Sequence, residues 1–237
     1  MHLSAPLYRL KREARLLSRQ QDIPLHTALD RIAAREGFRS WSLLARQAAS
    51  VSPAARLFPR LSPGDMLLVG ARPGEGKTLL ALELGVEAMK AGGRSVLFTL
   101  EYVERDVAAR FSAIGADAGS FGGRFELDAS DGICAAHVIA RLATMPSGTL
   151  AVIDYLQILD QRRDTPDLET QMRELASFAR RSGAILVFVS QIDRSYDPAV
   201  KPLPALSDIR LPNPLDLSLF SKTCFLNGGQ VRFAEVG

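Results

Sequence analysis

The stretch GARPGEGKT, Gly70 to Thr78, comes within one residue of the pattern G-x-x-x-x-G-K-[ST], with Ala71 standing where the pattern has its first glycine. Such a loop turns the chain sharply from a strand into a helix, so that backbone N–H groups and the positive helix N-terminus converge on phosphate oxygens. Gly74 and Gly76 allow close backbone approach, Lys77 reaches the β and γ phosphates, and the Thr78 hydroxyl is a ligand for Mg²⁺. The candidate nucleotide-binding residues are Ala71, Arg72, Pro73, Gly74, Glu75, Gly76, Lys77, Thr78 and Leu79. Ala71 tests the reading. A methyl is tolerable there if φ is negative and Cβ points away from the ligand, whereas a left-handed conformation would cost roughly 1 kcal/mol or more.

Three further polar residues end apolar runs. Asp154 closes TLAVID, and a carboxylate at the carboxyl edge of a sheet, beside a phosphate loop, can hold Mg²⁺ directly or through water. Glu101 follows SVLFTL, at the end of a strand expected to adjoin the phosphate strand, where it can orient and deprotonate an attacking water. The alternative for Glu101 is an acid that complements the dipole at a helix start. Gln191, after AILVFVS, has the position of a sensor of the γ-phosphate. The candidate catalytic residues are Lys77, Glu101 and Gln191, the candidate metal ligands Thr78 and Asp154, and the implied cofactors ATP and Mg²⁺.

The elements needed to position these residues are legible. From Asp65 onward, short continuous apolar strands (MLLVG, SVLFTL, FELD, TLAVID, AILVFVSQ) alternate with helix-length segments, which indicates a mainly parallel sheet covered on both faces. The expected fold is α/β and doubly wound. KTCFLN and QVRFAE around Asn227-Gly228-Gly229 predict a hairpin. Leu7, Leu10, Ala14 and Leu17 recur at helical spacing, Thr27 is a candidate cap for a second helix ending at Gly37, and Ser40 starts a third. The expected organisation is a basic helical module at 1–50, a linker arm at 51–64 with prolines at 53, 59 and 63, and the ATPase domain at 65–237.

Composition narrows the class. With 237 residues, 47% hydrophobic and 23% charged, the chain can bury a full core, and no apolar run reaches the length of a membrane span. A cytoplasmic protein without membrane contact is expected. Cys134 and Cys224 lie in apolar contexts without C-x-x-C spacing and read as buried thiols, and His2, His26 and His137 show no ligand spacing. Residues 1–60 contain 11 lysines and arginines against 4 acids, a net +7, whereas the remainder holds 18 against 22, a net −4. A basic head on an acidic body fits contact with nucleic acid or an acidic partner, or a solvated helix face.

With these motifs in place, the segment from about Leu61 to Phe225 resembles the RecA-like ATPase domain of DnaB-type replicative helicases. The phosphate loop is similar to that family's A-R-P-x-x-G-K-T, in which alanine is the working residue. LFTLEY, VIDYLQIL, FVSQIDRS and PALSDIR resemble its glutamate, Mg²⁺, sensor and Ser-Asp-(Leu/Ile)-Arg segments in the same order. The resemblance implies an ATPase acting on DNA, single-stranded above all, through the loops after Asp154 and Gln191. Gln161, Arg162 and Arg163 lie on the first loop, Arg194, Lys201 and Arg210 on the second, with Tyr196 as its one candidate for base stacking. Two departures stand out. LPNPLDLSLFSKTCFLN replaces the family's E-S-G and acidic stretch, and QVRFAEVG replaces its basic K-x-R-x-G hairpin, leaving Arg232 as the candidate arginine finger. Because such a finger contributes about 10³ to 10⁵ in turnover, the expectation is slow basal hydrolysis by a monomer or weak oligomer, with a partner or ring neighbour supplying the cation. The alternative function is an ATP-dependent regulatory module for a protein partner, without unwinding.

Overall fold

The computed structural model describes residues 3–5, 7–49, 52–161, 164–211 and 213–236, and the chain divides into two compact units, Met1–Pro53 and Ala54–Gly237. Arg162 and Arg163 lie outside the described residues.

The first unit comprises helices α1 (Leu7–Gln21), α2 (Leu25–Arg35) and α3 (Trp41–Ala49). Its core is small: Leu10, Ala14, Ala28, Ile32, Ala33 and Leu44 are buried together, and these are residues of the helical stripes. α2 begins two residues before the expected cap, so Thr27 lies inside it. Pro24, with φ preset at −55°, supplies the first acceptor to Ala28 N. Gly37 at φ +85° ends the helix as expected, because Gly37 N and Phe38 N donate back to the Ala34 and Ala33 carbonyls.

The second unit is built on a seven-stranded sheet. The strands are β1 (Met66–Ala71), β2 (Ser95–Thr99), β3 (Phe125–Asp128), β4 (Leu150–Asp154), β5 (Ile185–Gln191), β6 (Lys222–Asn227) and β7 (Gln230–Glu235), in the order β3-β2-β4-β5-β1-β6-β7. All neighbouring pairs are parallel except β6 with β7, whose hairpin turns through Gly228 and Gly229, both at positive φ. Side chains alternate between two cores, as period-two geometry requires. Leu68, Phe98, Ile153 and Phe188 pack with α7 (Ala135–Leu142) and α8 (Leu168–Ser182) on one face. Leu67, Leu97, Val152 and Val187 pack with α5 (Lys77–Lys90) and α6 (Glu104–Ala113) on the other. Both faces are covered, which is why the central strands read as continuous apolar runs.

Two expectations are corrected here. The arm at 51–64 carries a short helix, α4 (Pro53–Leu57), and Ala54, Leu57 and Leu61 are buried in the α5-side core. These apolar residues recur at three- and four-residue steps, and Pro53 is harmless in a first helical turn. Cys134 is half-buried at the start of α7, whereas Cys224 is fully buried and its thiol is pushed up to about 12 by desolvation. Among the described residues no helix is long and apolar enough to cross a membrane.

Candidate functional site

The turn between β1 and α5 shows how Ala71 is accommodated. Ala71 is the last residue of β1, fully buried in the α5-side core and absent from the positive-φ residues, so its methyl packs inward without strain. The left-handed positions fall instead on Gly74 at φ +81° and Gly76 at φ +89°. Gly76 precedes α5 without a side-chain cap, so no side chain bonded from that position covers the N–H groups of the first helical turn. Gly70 is small for a different reason: a Cβ there would come within 2.8 Å of Phe225 and 2.9 Å of Ile209.

Thr78 and Asp154 meet although their segments are not neighbours. β5 separates β4 from β1, which sets Asp154 two strand spacings, about 10 Å, from the phosphate strand. α5 packs across the sheet and its first turn brings the Thr78 hydroxyl near the Asp154 carboxylate. Asp154 is 1% exposed, and its Oδ2 is buried without a hydrogen-bond partner. Burial raises its pKa from 3.8 to about 6, and the Glu101 charge pushes the same way, while the nearby Thr78 hydroxyl and the Lys77 and Arg110 charges oppose the rise.

Glu101 also reaches this edge, by a route different from the expected one. β2 lies between β3 and β4, so it does not adjoin β1; two strands intervene. Glu101 is exposed, two residues beyond β2, and its backbone N–H donates to the buried Thr99 hydroxyl at 3.1 Å, which fixes the chain as it leaves the sheet. The helix-dipole alternative finds Glu104 and Asp106 already in the first turn of α6. Gln191 ends β5 in register with Ala71, half-buried, and its carbonyl accepts from Arg210 N at 2.9 Å.

Spacing alone did not expose two further residues, Tyr102 and Arg110. Tyr102 lies near Thr78, and Arg110 sits over the Tyr102 ring with Cζ 3.6 Å from its centroid. Burial and the Asp154 charge raise the Tyr102 pKa. The available signal was adjacency to Glu101 for the tyrosine and one helical face of VERDVAAR for the arginine.

The loop after Gln191 is tied to its surroundings. Ile192 bridges Ile209, and Asp193 N donates to the Asp208 carbonyl at 2.7 Å. Lys201 pairs with Asp208 at 2.6 Å, so this candidate contact is engaged within the loop, whereas the Arg194 and Arg210 side chains are exposed. Tyr196 is 5% exposed, with its hydroxyl donating to the Lys201 carbonyl at 2.6 Å and Arg72 over its ring at 5.9 Å. It is therefore a core residue of the loop and offers no face for stacking. Gln157 donates to the Arg210 carbonyl at 2.9 Å, joining the loop after Asp154 to the loop after Gln191. Asn227 donates to the Pro202 carbonyl at 2.8 Å, Glu75 accepts from Gly228 N at 2.8 Å, and Arg232 donates to the Pro204 carbonyl. Phosphate loop, hairpin and post-Gln191 loop form one connected patch.

No family model matches the chain. A curated relative, the replicative DNA helicase DnaB of Leifsonia xyli subsp. xyli (strain CTCB07), is 26% identical over 184 residues, taking in 63% of this chain and 40% of the relative. The chain thus spans about two fifths of the length of that relative. Among solved structures, an isolated ATPase domain superimposes with a TM-score of 0.56 at 16% identity, covering 77% of this chain and 80% of that one. A DnaB-like replicative helicase, described with its interactions with primase, gives 0.56 at 17% identity, covering 92% and 65%. The chain carries the RecA-like ATPase-domain fold of DnaB-type helicases.

Proposed function

We propose that the protein is a Mg²⁺-dependent P-loop ATPase that acts on DNA. The observation that carries this reading is the start of α5, with Lys77 and Thr78, set beside a buried Asp154 carboxylate whose Oδ2 has no hydrogen-bond partner. An orphaned buried carboxylate oxygen is costly, and hard divalent cations take oxygen ligands of this kind, so the donor set fits Mg²⁺ held by Thr78 and, directly or through water, by Asp154. Bound there, the ion supplies neutralisation of the charge on the β and γ phosphates. The rest of the work belongs to the chain. Gly74 and Gly76 let the backbone approach the phosphates, and Lys77 and the N-terminus of α5 present positive charge to them. Glu101 orients the attacking water and accepts its proton as the oxygen bonds to the γ-phosphorus and the bond to ADP breaks. Gln191 reports the γ-phosphate to the loop bearing Arg194 and Arg210, a cationic surface suited to a nucleic-acid backbone. Similarity to a replicative DNA helicase supports DNA as the partner.

A second reading, an ATP-dependent module that controls a protein partner without unwinding, is favoured by Arg232. Its guanidinium binds a carbonyl of its own chain, so a finger cation would come from a partner.

Hydrolysis measured with and without single-stranded DNA separates the two readings: stimulation supports the first, an unchanged rate the second. Lys77→Ala is expected to lower turnover by about 10²-fold or more. Glu101→Gln is expected to retain nucleotide binding and lose about 10² to 10⁴ in rate. Normal hydrolysis by both variants would reject the site.

A further inference from the structure

Leu156, Ile158 and Leu159, just after β4, are buried in the core on the α7 and α8 face, and the residue among them that differs in kind is Gln157. Its Nε2 donates to the Arg210 carbonyl at 2.9 Å, 53 residues away, while its Oε1 is buried without a hydrogen-bond partner. An unpaired buried acceptor is costly, and an apolar side chain of the same length would avoid that cost. What the amide adds in return is its hold on Arg210. Arg210 is held from the other side as well, because its N–H donates to the Gln191 carbonyl at 2.9 Å. Beside it Asp193 N donates to the Asp208 carbonyl at 2.7 Å, and Ile192, bridged to Ile209, donates its N–H to the Ala71 carbonyl at 3.2 Å, where the phosphate loop begins. A second strap runs alongside the first: Asn213 Nδ2 donates to the Asp160 carboxylate, so residues 157 and 160 bind residues 210 and 213 at the same spacing of three. Asp216 N then donates to Glu169 on α8 at 2.8 Å. LPNPLDL, the segment that departs from the family's pattern, is therefore laced to the loop after Asp154 and to α8 through Asn213 and Asp216.

We propose that Gln157 is a positioning residue that couples the two candidate nucleic-acid loops: it fixes the loop after Asp154 to Arg210, and through Arg210 to the carbonyl of Gln191, so that both loops respond together to the bound nucleotide. The inference rests on the reading of the chain as an ATPase that acts on DNA, and adds to it the part that makes the two loops one body. Gln157 touches neither nucleotide nor DNA in this role. It sets how strongly a change at the end of β5 reaches the first loop, and the straps that transmit the change are the bonds to Arg210 and Asn213. Coupling between two ligand sites is reciprocal and is commonly about 5- to 150-fold in affinity, so it can be read as a ratio of dissociation constants.

The test is a titration of the full chain against fluorescein-labelled oligothymidine, followed by anisotropy, once with ADP and once with a non-hydrolysable ATP analogue. The ratio of the two dissociation constants is the coupling factor, expected in the range of about 5- to 150-fold for the unmodified chain. Gln157→Met keeps the length and removes the donor together with the unpaired oxygen. It is expected to bring the ratio down to about 1- to 2-fold, with the affinity for each nucleotide and the thermal midpoint at wild-type values, since the lost bond is offset by the lost penalty. Asn213→Ala opens the second strap at an exposed position and is expected to lower the ratio by a smaller factor. A Gln157→Met ratio equal to that of wild type overturns the coupling role and leaves the ATPase reading standing. Equal losses of DNA affinity with both nucleotides, with a lower thermal midpoint, overturn it in favour of a purely structural glutamine. Should Gln157→Met fail to fold, a wild-type ratio in Asn213→Ala overturns the proposal. Unmodified chain that binds the oligonucleotide equally with both nucleotides, or not at all, removes the DNA reading and this inference with it.

Discussion

Asp154 shows what a site costs the fold that carries it. Its carboxylate is buried with one oxygen unpartnered, and its pKa in the folded protein is raised to about 6. A raised folded pKa means that the native state holds the proton more tightly than the unfolded chain. The contribution of this group to stability is therefore full below about 4 and is lost as the pH climbs through about 6. Asp154→Asn keeps the shape and removes the charge. Without added Mg²⁺ it should match wild-type stability near pH 4 and exceed it by about 2–3 kcal/mol at pH 7. Denaturant unfolding at the two pH values checks this, and equal stabilities at pH 7 would show that water reaches the carboxylate. The same substitution should abolish Mg²⁺-dependent hydrolysis, as expected where function is retained at the expense of stability.

At the scale of elements, the tight spot is where β1 meets β6 and the post-Gln191 loop. Gly70 is not in a left-handed conformation, so its lack of a side chain answers a packing need: Phe225 from β6 and Ile209 from the end of the loop close over it. Gly70→Ala is expected to destabilise by about 1–3 kcal/mol through overpacking. Because Ile209 is one half of the bridge to Ile192, the strain should show as faster limited proteolysis between residues 193 and 208. A variant with wild-type stability and cleavage would mean that Phe225 and Ile209 move aside without cost. The straps from Asn227, Glu75 and Arg232 were invisible in the sequence, since each joins residues that only the sheet order makes neighbours.

At the scale of the molecule, the chain is two units with separate cores and opposite charge balance. Arg12, Arg15, Arg19 and Arg31 are exposed on α1 and α2, a cationic surface suited to phosphates. Removing residues 1–50 is expected to weaken DNA binding and flatten its dependence on salt, while Ala54–Gly237, with its own core, keeps its cooperative unfolding. An unchanged salt slope would assign the helical module to some other partner. What the sequence alone determined is what local chemistry dictates. The phosphate loop, the strand and helix alternation, the hairpin at Gly228-Gly229 and Asp154 at a strand end all rest on spacing or on residues with special backbone freedom. Tertiary structure decided what depends on strand order and on the path of α5. It placed β5 between the phosphate strand and Asp154, buried Tyr196, drew Arg232 onto its own chain and set Arg110 over the Tyr102 ring. The physical cause of those placements is the packing of helices and loops onto a sheet whose strand order no local pattern records.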